Sequence, residues 1–223
     1  MERIDYPDTD MMALSLARRL AGELRAALTR RPRALFAVPG GTSPGPVFDL
    51  LAAADLDWDR VDIVPTDERW LPESHARSNA GMIRARLLRD KAVPARLLPL
   101  WHEALSPAEG AEQAAAMLDR LLPVDVALLG MGADMHTASL FPGATGLDEA
   151  LAADAPAVVP ILAPGAPEPR VSLSARVLKD AYGLHLLIIG AEKRAALERA
   201  RALAPTEAPV AAVLARAVVH WAP

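Results

Sequence analysis

A chain of 223 residues, 52% of them apolar, carries enough hydrophobic material for one large α/β domain or two small ones, which argues against disorder. A net charge of −4 and a pI near 5.7 argue against a general basic field for nucleic acid or an anionic membrane, while leaving room for a small local anion site. The lack of cysteine removes disulfides, thiolate metal sites and cysteine nucleophiles together.

The opening MERIDYPDTD is charged where a secretory signal needs an apolar core, and no apolar run approaches the roughly 18 residues of a membrane span. A soluble, cytoplasmic protein is expected. Aromatic residues are too few, at 4%, for base-stacking platforms.

Met11 to Leu28 has Leu14, Ala17, Leu20, Ala21, Leu24 and Leu28 at helical spacing, with Arg18, Arg19, Glu23 and Arg25 on the other side. A buried strand follows from Ala34 to Val38, broken at Pro39, and a helix opens near Pro44. The pattern returns as a strand Val61 to Pro65 with a polar tip, then helices Asn79 to Arg89 and Pro107 to Leu121, then a strand in DVALLGMG. Further strands are expected at Ala157 to Ile161, Leu184 to Gly190 and Ala217 to Trp221, with a helix from Glu192 to Ala202. Apolar strands without alternation, interleaved with helices, predict a single domain over 1–223: a doubly wound, mostly parallel, Rossmann-like sheet with helices on both faces. In such sheets ligands collect beyond the carboxyl ends of the strands, and every polar cluster of interest here follows a strand.

In VPGGTSPG, Gly40 and Gly41 allow close backbone approach, while Thr42 and Ser43 offer hydroxyls ahead of a helix N-terminus that favours an anion. The Gly-Lys-Ser/Thr ending of a Walker loop is missing. TDERW places Asp67, Glu68 and Arg69 after a strand, with Ser78 and Asn79 further along the same connection; a solvated charged turn is at least as good a reading of it alone. GMGADMHTASLFPG is more specific, because Gly130, Gly132, Asp134 and His136 would sit in a loop rather than on a core face. Its glycines do not complete a dinucleotide fingerprint, and Ser139 lacks a nucleophile-elbow setting. Lys193, at the start of a helix, opposes the helix dipole unless an anion is near. Arg170 follows the proline-rich loop APGAPEPR; taken singly, Arg170 and Lys193 read as surface charge. His75, His102, His185 and His220 show no paired ligand spacing and are expected to be structural or exposed, His185 within the core.

Taken together, GGTSP (Gly40 to Pro44), DER (Asp67 to Arg69), SN (Ser78 to Asn79), GMGADMHTASLFPG (Gly130 to Gly143), PR (Pro169 to Arg170) and GAEK (Gly190 to Lys193) resemble the 6-phosphogluconolactonase family, which shares its fold with glucosamine-6-phosphate deaminases. The resemblance spans nearly the whole chain and implies hydrolysis of 6-phosphoglucono-1,5-lactone without metal or organic cofactor. It implies His136 as general base, oriented by Asp67 or Glu68, with Arg69 and backbone N–H groups of the glycine loops, Gly40, Gly41 and Gly132, at the oxyanion. Thr42, Ser43, Arg170 and Lys193 would hold the phosphate. Asn79 belongs with the substrate contacts, and Asp134 would touch substrate or shape the loop through backbone N–H groups. Two departures stand out. Met135 occupies a position where the family usually has glycine, so a positive φ would strain it or its side chain would obstruct substrate. The family also continues a little past HWAP, so a shortened last strand or tail is expected. The alternatives are a non-catalytic sugar-phosphate binder, signalled by Met135, and a deaminase, disfavoured because Ser139, Leu140 and Phe141 stand where that relative carries an acid.

Overall fold

The computed structural model describes the whole chain, Met1–Pro223. A short strand that the apolar pattern does not announce, β1 (Glu2–Asp5), leads into helix α1 (Thr9–Leu28). Asp8 caps that helix by accepting from the Met11 N–H at 2.7 Å, and Met12, Leu16, Leu20 and Leu24 form its buried stripe at i, i+4 spacing. The chain continues through β2 (Ala34–Val38), α2 (Gly45–Ala52), β3 (Val61–Pro65), β4 (Asp67–Arg69), α3 (Asn79–Arg86) and β5 (Arg96–Leu97). Then come α4 (Pro107–Leu118), opened by a Ser106–Glu109 capping box, β6 (Val126–Gly130), α5 (Leu147–Leu151), β7 (Val158–Ile161) and β8 (Arg170–Leu173). The remainder is α6 (Ala175–Lys179), β9 (Gly183–Ile189), α7 (Ala191–Ala200), α8 (Ala211–Leu214) and β10 (Val218–Ala222). The last strand pairs with β9 along all five residues and with β1 along four.

Seven strands form one sheet in the order β1-β10-β9-β6-β2-β3-β5, every neighbouring pair parallel. From β2 the chain winds outward to β3 and β5, then returns to add β6 and β9 on the other side. The β2–β6 junction is therefore the switch point, and the crevice beyond its carboxyl ends is the expected ligand site. Both faces are covered. Ala34, Phe36 and Val38 of β2 pack with α1 and α2, while Leu35 and Ala37 face the cluster containing α4 and β7. Apolar contact on both sides explains why these strands do not alternate.

The expected single sheet needs one correction. Strand β7 leaves the main sheet and joins a second, antiparallel sheet in the order β4-β8-β7, pairing Asp67 with Ser172, Glu68 with Val171 and Arg69 with Arg170. The three residues of β4 are charged and lack β-branched side chains, so they read as a loop tip until pairing with β8 orders them.

Candidate active site

The loops following β2 and β6 meet at the switch point and enclose a cleft of about 270 Å³. Its wall takes Gly40, Gly41, Thr42 and Ser43 from the first loop, Asp67 and Arg69 from β4, and Asn79 from the start of α3. Gly132 and His136 come from the loop after β6, Arg170 from β8 and Lys193 from the first turn of α7. Glu68, which is buried, and Asp134, which is exposed, are not part of the wall.

In the first loop Gly41 has φ +84°, a left-handed conformation natural to glycine, and a Cβ on Gly40 would collide with the Asn79 side chain. Thr42 and Ser43 precede α2, whose N-terminus has no side-chain cap. The Gly45 and Phe48 N–H groups are bonded to the Thr42 and Pro44 carbonyls and Pro46 has none, so an anion there would meet the loop N–H groups of Thr42 and Ser43 rather than the first turn of the helix.

The second loop turns back on itself. The Gly132 N–H donates to the His136 carbonyl at 3.1 Å, and the Met135 N–H to the Gly132 carbonyl at 3.0 Å. Met135 adopts φ +67° and Ala138 φ +50°, two non-glycine residues in the left-handed region. Of the two roles considered for a glycine at 135, the positive φ is the one present. The Met135 side chain packs against the apolar cluster, its carbonyl accepts from the Val210 N–H at 3.1 Å, and it takes no part in the cleft wall.

The turn brings Asp134 and His136 together. One Asp134 oxygen lies 2.5 Å from His136 Nδ1 and accepts from the His136 backbone N–H at 3.3 Å. A carboxylate only accepts, so Nδ1 carries the proton and Nε2, with no protein partner, is the basic nitrogen. Gly132 lies flush against this pair, where a Cβ would strike both side chains. Phe141 stacks on the imidazole, ring centroids 4.2 Å apart, and the Arg170 guanidinium sits 5.2 Å from the centre of the same ring.

Asp67 and Glu68 make other contacts, which corrects their expected role as the orienting acid. Asp67 accepts from Ser139 Oγ at 2.6 Å and from Thr66 Oγ1 at 3.2 Å. The Glu68 carboxylate docks on the N-terminus of α3, accepting from the Asn79 and Ala80 N–H groups at 2.8 and 2.7 Å and from Ser78 Oγ at 3.1 Å. Burial raises its pKa against the pull of those N–H groups. Glu68 is thus an internal helix cap. Asn79 donates to the Asp67 carbonyl at 2.7 Å and accepts from Arg69 Nη1 at 2.5 Å, fixing that guanidinium on the cleft wall.

Four groups escaped the sequence reading. Phe141 and Ser139 lay inside the specific motif without a role. Arg77, whose carbonyl accepts from Arg69 Nη1 at 3.0 Å, and Glu168, ion-paired to Arg77, lay in segments read as connections. An acid two residues before Arg170 in APEPR was the available signal for Glu168. The other histidines follow expectation: His75 and His102 are exposed, while His185 and His220 are buried. No group of three His, Asp or Glu side chains converges as metal ligands would.

A family model described as glucosamine-6-phosphate isomerases/6-phosphogluconolactonase matches residues 7–221. The chain is 45% identical to a 6-phosphogluconolactonase of Pseudomonas aeruginosa, covering 95% of this chain and 90% of that one. It is 42% identical to a 6-phosphogluconolactonase of Mesorhizobium japonicum, covering 98% and 94%. The crystal structure of a 6-phosphogluconolactonase from Shewanella baltica superposes with a TM-score of 0.94 at 30% identity, over 100% of this chain and 98% of that one. With the fold, the cleft and these likenesses in agreement, the chain belongs to the family of glucosamine-6-phosphate isomerases and 6-phosphogluconolactonases.

Proposed function

We propose that the cleft hydrolyses the ring ester of 6-phospho-D-glucono-1,5-lactone to 6-phospho-D-gluconate, in the oxidative pentose phosphate pathway, using no metal or organic cofactor. The observation that carries this reading is the His136–Asp134 pair: an imidazole held at Nδ1, basic at Nε2, on the wall of a cleft that also presents Arg69, Arg170 and Lys193.

His136 Nε2 takes a proton from a water as the water oxygen bonds to C1 of the lactone. Asp134 stabilises the resulting imidazolium through the charge-assisted bond at Nδ1. Negative charge gathers on the former carbonyl oxygen, where Arg69 and N–H groups of the glycine loops are the donors, each typically worth about 3 kcal/mol. The Gly132 N–H, expected among them, is bonded to the His136 carbonyl and is not one. The C1–O5 bond then breaks and the imidazolium returns its proton to O5, leaving a carboxylic acid that ionises in water. Thr42, Ser43, Arg170 and Lys193 hold the 6-phosphate, so binding of the remote anion places C1 against His136. A cytoplasmic setting and a small-molecule partner go with this reading.

The non-catalytic binder was suggested by Met135, whose side chain is tucked against the core rather than into the cleft; that placement favours turnover. Supplying freshly generated lactone and, separately, glucosamine 6-phosphate tests the proposal. Lactone loss well above the spontaneous rate with no ammonia release is expected. Ammonia release, or lactone loss at only the spontaneous rate, contradicts it.

A further inference from the structure

The charges behind Arg170 leave two loose ends. Glu168 sits in the connection between β7 and β8 with only 7% of its side chain exposed. One oxygen is bonded to Arg77; the other, Oε1, is buried without a hydrogen-bond partner, 3.7 Å from Arg170 Nη2. Arg170 Nε is also buried and unpartnered. Such atoms are costly unless they serve a purpose. The backbone sharpens the point, because Arg69 and Arg170 are direct cross-strand partners and like charges so placed repel. Arg69 is held by Asn79 and by the Arg77 carbonyl. Arg170 has no closed hydrogen bond of that kind: its neighbours are the Phe141 ring face and the separated Glu168 oxygen.

We infer that Glu168 is a positioning residue for anion binding: anchored by Arg77, its carboxylate steers the Arg170 guanidinium onto the cleft wall and leaves the guanidinium donors free for the incoming anion. Arg170 is desolvated by its burial, which works against its charge; Asp67 first and then Glu168 oppose this loss, while Arg69 and Arg77 add to it. An attraction across 3.7 Å is strong enough to orient and loose enough to release N–H groups to a phosphate, whereas a closed bidentate pair would occupy them. Arg77 fits the anchor's part, being tied to Glu168 on one side and, through its carbonyl, to Arg69 on the other. The lactonase proposal enters only in naming the anion as a sugar phosphate.

The test is a double-mutant cycle on 6-phosphogluconate binding, measured by calorimetry, with Glu168→Gln, Arg170→Ala and the double variant. If Glu168 acts through Arg170, E168Q weakens binding about tenfold in the wild-type background and less than about twofold in the R170A background. Glu168→Asp, which keeps the charge on a shorter stem, should recover part of the loss. Equal weakening in both backgrounds, or an unchanged Kd for E168Q, overturns the inference. Should E168Q fail to fold, the same cycle run with E168D decides by the same comparison: a smaller weakening that is present in the wild-type background and absent in the R170A background supports the inference, and equal weakening in both, or none, overturns it. Wild-type turnover is scored separately: binding with the expected non-additivity but no lactone hydrolysis sinks the lactonase proposal and supports this one. A wild type that does not bind 6-phosphogluconate overturns both.

Discussion

His136 and His185 each hold a carboxylate at hydrogen-bond distance, 2.5 Å to Asp134 and 2.8 Å to Glu23. Their surroundings separate them. His185 is 1% exposed in β9, with both ring nitrogens engaged: Nε2–H donates to Glu23, and Nδ1 accepts from His220 Nε2 at 3.1 Å. The Tyr6 hydroxyl donates to His220 Nδ1 at 2.9 Å, completing a hydrogen-bonded chain that ties β1's end and α1 to β9 and β10. His136 lies beyond a strand end, in a turn containing left-handed residues, with one nitrogen held and the other free over a cleft. A histidine–acid pair is therefore not a catalyst by composition. It becomes one where a nitrogen is left unsatisfied at a place that substrate can reach.

Breaking the exposed pair should damage chemistry and spare the fold. Asp134→Asn removes the charge that stabilises the imidazolium, a bond worth about 1.5–3 kcal/mol, so kcat should fall by roughly 10- to 150-fold. Thermal unfolding of the same variant should shift little, since Asp134 is exposed. An unchanged kcat would remove Asp134 from the mechanism.

Breaking the buried pair should do the reverse. Burial, then the neighbouring His185, lowers the His220 pKa from 6.5 to about 3, with Arg19 adding to the depression and Glu23 opposing it. Above pH 6.5 folded and unfolded chains are both neutral at this group. Below it the unfolded chain binds a proton that the fold refuses, so stability falls as pH drops toward 3, by up to about 1.4 kcal/mol per pH unit. The Glu23 carboxyl acts in the same direction: burial raises its pKa, but His185 and Arg19 outweigh this and lower it, so its contribution is also lost on acidification. His220→Gln should lose roughly 1–3 kcal/mol near pH 8 and show a flatter decline between pH 6.5 and 5 by denaturant unfolding, with lactone turnover within about twofold of wild type. A slope identical to wild type would mean that His220 titrates normally.

The smallest expected effect lies at Met135. Its left-handed backbone costs about 1–2 kcal/mol relative to glycine, while glycine would forfeit the side-chain packing on the core and add unfolded-chain entropy. Met135→Gly should therefore change unfolding free energy by less than about 1 kcal/mol. A gain well beyond that would show that packing does not offset the strain.

These particulars also mark what could be read beforehand. Buried parallel strands, the glycine loop and the loop histidine were legible because apolar runs and turn chemistry are local. The small antiparallel sheet was not, because the three charged residues of β4 become a strand only through pairing with β8. The partner of His136 was missed for a related reason. Asp67 and Glu68 carry the right chemistry, but a helix N-terminus claims Glu68 and Ser139 claims Asp67, whereas the turn at Met135 delivers Asp134. Tertiary contacts decided between chemically equivalent acids.

The most direct measurement is hydrolysis of freshly generated 6-phosphogluconolactone by wild type and His136→Ala, corrected for spontaneous opening. A fast wild type with a variant slower by roughly 10²-fold or more, and equally stable, is the predicted result. A variant that keeps wild-type turnover would contradict the assignment of His136 as the base.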